Sequence, residues 1–112
     1  MFSDRSQPPV AEVTPAEAHE RVTKGEGILV DVREPDEWRG GHAAGARHIP
    51  LGELSLRAAE LPRDQDIYLI CASGNRSKVA ATLLGRAGFA SPASVRGGTA
   101  SWARAGLPLE RS

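Results

Sequence analysis

The sequence predicts an α/β domain built on a mostly parallel sheet. Two apolar runs, "GILVDVR" (27–33) and "DIYLICA" (66–72), show little alternation, as strands buried on both faces do. Segments with helical spacing alternate with the strand-like runs, and the connections are short. The chain has 112 residues, enough for one domain that buries roughly two-thirds of its unfolded surface.

The elements follow in order. Residues 1–10 are polar, carry a Pro-Pro pair and read as a loose tail ahead of a domain over 11–112. "TPAEAHERV" (14–22) is a helix start: Thr14 caps, Pro15 suits the first turn and Glu17 completes a capping box. The run 27–33 is a buried strand. "PDEWRGG" (35–41) is one short helix stopped by glycines, and "ARHIP" (46–50) a short strand. "LGELSLRAAEL" (51–61) sets Leu51, Leu54, Ala58 and Leu61 at helical spacing, with Pro62 ending the helix. The run 66–72 is a second buried strand. "RSKVAATLLGRAG" (76–88) is a helix with Val79, Leu83 and Ala87 aligned, stopped at Gly88. "ASVRGG" (93–98) is a weak strand and "TASWARAG" (99–106) a last helix.

Composition narrows the function. Fourteen basic residues balance fourteen acidic ones. Zero net charge gives no electrostatic case for nucleic acid or an anionic membrane as partner. No segment approaches the ~18 apolar residues of a membrane span, and "MFSDRSQPPV" lacks the apolar core of a signal peptide. A single cysteine makes no internal disulfide, so a reducing cytoplasm is the expected location.

That cysteine is Cys71, in "CASGNRS" (71–77), between a strand end and a helix start. In parallel sheets ligands bind at such strand ends. A loop turning at once into a helix aims several N–H groups at one point, and the helix dipole adds positive potential. Gly74 permits an unusual backbone angle and Arg76 supplies a permanent cation. Each favours thiolate over thiol, which makes a cysteine nucleophilic. The plain alternative is a buried cysteine filling space. Cysteine phosphatases place five residues between cysteine and arginine. Here Ala72, Ser73, Gly74 and Asn75 are the four, before Arg76 and Ser77. The smaller ring suits a persulfide sulfur better than a phosphoryl group.

The chain here resembles the single-domain rhodaneses, which are sulfurtransferases. "ILVDVREPDEWRGGHAAGARHIPLGEL" is similar to the family's Asp-Val-Arg strand end, acidic-aromatic turn and Gly-His…Gly-Ala…Ile-Pro segment. "VRGGTASWARAGLPLE" is similar to its closing glycine-rich turn and Trp helix. The resemblance covers about residues 12–110 and implies a single-domain rhodanese-like fold, with a mostly parallel five-stranded sheet flanked by helices. It implies a Cys71 persulfide, loaded from thiosulfate or another persulfide and unloaded to cyanide, a thiol or a protein acceptor. It also implies that N–H groups of residues 72–76 hold the persulfide, with no cofactor and no metal. Many family loops carry a basic residue directly after the cysteine, where this chain has Ala72. The alternatives are a thiol phosphatase or arsenate reductase, a catalytically silent binding module, and a relay fed by a protein donor.

Other residues are expected to support this site. Asp31, inside "ILVDV", needs a partner because an unpaired buried charge is costly. It is expected to hold the neighbouring loops near Arg76 or His42, with Arg33 at the same strand end. His42 and His48 have no metal-ligand spacing, which favours structural hydrogen bonds. His19 is expected on a solvated helix face. Trp38 and Trp102 read as packing anchors, with Trp102 walling the pocket. The charges of "EPDEWR" read as a solvated turn.

Overall fold

The computed structural model describes residues 10–111. Residues 1–9 of the expected tail lie outside the described residues, and Val10 packs against the core. The elements run β1 (Glu12–Val13), α1 (Pro15–Thr23), β2 (Ile28–Asp31), α2 (Pro35–Arg39), β3 (His42–Ala43), β4 (Arg47–His48), α3 (Leu54–Arg57), β5 (Asp66–Ile70), α4 (Asn75–Arg86), β6 (Ser91–Val95), α5 (Gly98–Arg104) and β7 (Leu109–Glu110). Five strands form one sheet in the order β1-β6-β5-β2-β4, every pair parallel. β3 and β7 pair antiparallel in a separate ribbon that the sequence did not announce. Among the described residues no helix is long and apolar enough to cross a membrane.

The absence of alternation in the two central strands has a direct cause. Val30, Val32, Ile67 and Leu69 enter a core that also holds Leu54, Leu84 and Phe89. Leu29, Tyr68 and Ile70, which alternate with them along the strands, enter a second core with Ala18, Val95 and Trp102 on the other face. Each fully buried Leu or Ile contributes about 1.5–3 kcal/mol over its exposed state. The predicted capping box is present: Glu17 N–H donates to Thr14 Oγ1 at 3.1 Å, and Thr14 N–H to Glu17 Oε1 at 2.8 Å.

Three expectations are corrected. The stretch 51–61 is not one helix but α3 flanked by 3-10 turns at Leu51–Glu53 and Ala58–Glu60. Leu54, Ala58 and Leu61 still turn inward, so the spacing was right and the regularity wrong. The weak strand begins earlier, at Ser91, and contains Pro92. β1 pairs with β6 only at Ser94 and Val95, so the missing N–H of Pro92 interrupts no bond to β1. The third correction concerns α4. Its inward residues are Ser77, Ala80, Ala81 and Leu84, while Val79 is 56% exposed and Leu83 only half-buried. The loop before the helix sets this phase. Once Ser77 is turned toward the Cys71 sulfur, positions three, four and seven later face the sheet.

Candidate active site

β5 delivers Cys71 to its carboxyl end, where the residue is 1% exposed. The chain then reverses within Ala72–Gly74 and enters α4 at Asn75. Gly74 carries φ of 108°, and a Cβ there would stand 3.3 Å from Gly97 N, so backbone angle and space both demand glycine. The turn brings Gly74 N–H to Cys71 Sγ at 3.1 Å and Ser77 N–H at 3.3 Å. Ser77 Oγ lies 3.5 Å from Sγ and 2.7 Å from Ser94 Oγ, both serines being buried. The thiol donates to Ser77 Oγ, and a thiolate accepts from it.

The loop carbonyls are held on the opposite side. Thr99 N–H donates to Cys71 O at 2.8 Å, Thr99 Oγ1 to the same oxygen at 3.1 Å, and Ala100 N–H to Ala72 O at 3.1 Å. The two N–H groups are among those the first turn of α5 leaves without a partner inside the helix. Gly98, with φ of 60°, lets α5 come this close, since a Cβ there would lie 2.6 Å from Ala72 C. The peptide oxygens are thus drawn away while N–H groups face the sulfur. Burial pushes the Cys71 thiol up. Hydrogen bonds from the Ser77 hydroxyl and from the Ser77, Gly74 and Ser73 N–H groups outweigh it, and the net shift is downward from 9.0.

Arg76 leaves the loop and forms a two-pronged pair with Glu37 of α2, Nη1 to Oε1 at 2.8 Å and Nη2 to Oε2 at 2.9 Å. Glu37 Oε1 also accepts Glu34 N–H at 2.9 Å. Arg76 beside it holds the Glu37 carboxyl at about 2, against 4.5 ordinarily. The "EPDEWR" charges are therefore not simply a solvated turn.

Asp31 is fully buried, and its partner is Arg33 rather than Arg76 or His42. Arg33 Nε donates to Asp31 Oδ1 and Oδ2 at 3.0 Å each, Nη2 to Oδ2 at 2.8 Å, and Arg33 N–H to Oδ1 at 2.9 Å. Arg33 Nη2 also reaches Gly41 O at 2.8 Å, tying the strand end to the turn before β3. His42 Nδ1 lies 2.9 Å from Trp38 O, and His48 Nε2 lies 2.8 Å from Arg33 O. The Trp38 ring stacks with both imidazoles, at centroid distances of 3.4 and 4.7 Å. Trp102 is fully buried in the core under α1 and donates to Pro108 O, so it walls no pocket. His19 is half-buried against the Trp102 ring at 5.6 Å rather than solvated.

Residue reasoning missed Ser94, Thr99 and Glu37. Nothing local marks Ser94 or Thr99, because their partners lie on other elements. Glu37 carried one signal, its place three residues after Glu34 in a capping-box pattern. Among the described residues no group of three or more His, Cys, Asp or Glu is placed to hold a metal ion.

Known proteins share this architecture. The chain is 35% identical over 101 residues to a sulfurtransferase of Allochromatium vinosum, covering 89% of this chain and 94% of that one. It is 37% identical over 94 residues to YrkF of Bacillus subtilis, whose name describes a candidate sulfur carrier, covering 83% of this chain and 51% of that one. The chain thus spans about half the length of YrkF. The crystal structure of a thiosulfate sulfurtransferase from Pseudomonas aeruginosa superposes with a TM-score of 0.83 at 30% identity, over 91% of this chain and 20% of that one. A sequence profile of the rhodanese-like domain matches residues 14–105, and with the parallel five-stranded sheet this places the chain in the rhodanese family.

Proposed function

We propose that the protein transfers sulfane sulfur through a persulfide on Cys71. The observation that carries this reading is the convergence of Gly74 N–H, Ser77 N–H and Ser77 Oγ on one sulfur at a strand end. Such an array stabilises an anionic sulfur without a histidine base. In the first step the Cys71 thiolate attacks the outer sulfur of a donor, thiosulfate or R–S–SH. The donor's bond to that sulfur breaks, its electron pair leaves with sulfite or R–S⁻, and Cys71–S–S⁻ or its protonated form remains. In the second step a nucleophile, cyanide or a thiolate, takes the outer sulfur and the Cys71 thiolate returns.

The loop residues Ala72 to Ser77 hold the sulfur. Asp31 and Arg33 act as positioning residues, and His42 braces the turn that Arg33 reaches. The reading accommodates small donors and protein donors or acceptors alike. The four-residue spacing from Cys71 to Arg76 favours it over a thiol phosphatase. Similarity to a sulfurtransferase along most of the chain supports it further.

The test is incubation with thiosulfate or cysteine persulfide, followed by intact mass and a thiocyanate assay. A gain of one sulfur atom in wild type, absent in Cys71→Ser, is the expected result. No Cys71-dependent gain from either donor, or Cys71-dependent turnover of an aryl phosphate alone, overturns the reading.

A further inference from the structure

The catalytic loop is rich in sulfur-facing donors and poor in available positive charge. Cys71 to Asn75 carry no cationic side chain. Arg76 is the loop's cation, and both prongs of its guanidinium are taken by Glu37. The nearby Arg33 is likewise taken, by Asp31 and the Gly41 carbonyl. These four charged side chains sum to zero, so a Cys71 thiolate leaves the site negative.

Glu37 is not a casual partner. It sits in the first turn of α2, and its Oε1 is fixed by Glu34 N–H as well as by Arg76. The next residue, Trp38, stacks with the rings of both His42 and His48. Swinging Glu37 away from Arg76 breaks several contacts at once. The carboxyl, held at about 2, stays ionised at any physiological pH. Arg76 is therefore a neutralised cation rather than an anchor for an anionic donor.

Donors differ in what they ask of such a site. Thiosulfate brings two negative charges toward a thiolate, and its sulfonate end needs a cation. A persulfide brings one negative charge at most on its sulfurs, and none in the protonated form R–S–SH whose outer sulfur is attacked. Its transfer is Cys71–S⁻ + R–S–SH → Cys71–S–SH + R–S⁻, with one negative charge on each side. The oxidised sulfane sulfur moves intact and no other reactant is consumed.

We infer that Glu37 is a specificity-determining residue that neutralises Arg76 and makes thiol-borne persulfides, rather than dianionic thiosulfate, the sulfur donors of this site. The inference rests on the persulfide chemistry proposed above.

The experiment measures the second-order rate of Cys71 loading by rapid quench and intact mass, on the full chain. The donors are cysteine persulfide, a monoanion at most at neutral pH, and thiosulfate, a dianion. Wild type is expected to load at least tenfold faster from the persulfide. Its thiosulfate rate is expected to rise with ionic strength, because salt screens repulsion between like charges. Glu37→Gln keeps an acceptor for Glu34 N–H and frees the Arg76 charge. It is expected to raise the thiosulfate-to-persulfide ratio about tenfold and to flatten the salt dependence. Faster wild-type loading from thiosulfate overturns the inference, as does a folded Glu37→Gln variant with an unmoved ratio. Should that variant fail to fold, Ala72→Lys decides: it adds a cation with the Glu37–Arg76 pair intact, and an unmoved ratio again overturns the inference. In either case persulfide chemistry stands, since Cys71 still loads. Failure of both donors to load Cys71 overturns that chemistry and this inference together.

Discussion

Two Arg–carboxylate pairs stand near the strand ends that carry the site, Asp31–Arg33 at the end of β2 beside Ile70 and Glu37–Arg76 at the start of α4, and they differ in burial. In the Asp31–Arg33 pair the side chains are 0% and 8% exposed. In the Glu37–Arg76 pair they are 33% and 37% exposed. A buried pair is costly to break, because the surviving charge has no water to turn to. A pair in partial contact with solvent contributes little to stability, since water screens it and would solvate the charge left behind if its partner were removed. The first pair therefore ties the end of β2 to the turn before β3. The second does little for the fold but sets the charge that a donor meets. Similar chemistry, at two depths, serves structure in one place and selectivity in the other.

Breaking the buried pair gives the largest effect. Asp31→Asn strands the Arg33 guanidinium and is expected to cost about 3–5 kcal/mol of folding stability, read by urea denaturation. Loss of sulfur transfer should accompany it. A variant with wild-type midpoint and rate would show that this pair does not hold the site.

Next comes the Cys71 sulfur itself. Ser77→Ala removes one hydroxyl donor and leaves the backbone N–H groups and both ion pairs in place. A hydrogen bond to a charged group contributes about 1.5 kcal/mol, so the variant should alkylate roughly tenfold more slowly with iodoacetamide at neutral pH. Its rate-against-pH curve should move to higher pH. An unmoved curve would mean that donors other than Ser77 Oγ hold the thiolate.

The smallest effect is expected from the exposed pair. Glu37→Gln should change stability at neutral pH by under about 1 kcal/mol. The difference lies in acid. The folded carboxyl titrates at about 2 and the unfolded one near 4.5, so the folded state binds fewer protons in that window. The stabilisation is complete above 4.5 and is lost as pH falls toward 2. Wild type should lose more stability across that window than Glu37→Gln, and parallel curves would contradict the assignment.

How much of this was legible beforehand depends on how far apart the partners lie in sequence. The capping box at Thr14 and Glu17 was readable, because both halves sit within one turn. The central strands were readable from their unbroken apolar runs, since burial on both faces leaves no polar position. α4 was readable as a helix but not in phase. Hydrophobicity alone chose Val79 and Leu83, whereas the loop turned Ser77, Ala80 and Leu84 inward. The ribbon of β3 and β7 was invisible, because two-residue strands carry no period and pair His42 with Glu110.

The sequence by itself determined the parallel sheet, through two unbroken apolar runs, and the course of the Cys71 loop. Strand, cysteine, left-handed glycine, arginine and helix start are contiguous, and contiguous residues declare their geometry through local backbone preferences. Tertiary structure decided what those residues meet. It set Arg76 against Glu37, 39 positions away, and turned the loop carbonyls into the first turn of α5, 28 positions on from Cys71. Ser94, on β6, was brought to Ser77, on α4. Such contacts depend on how strands order and helices pack, and no local preference of either partner encodes them.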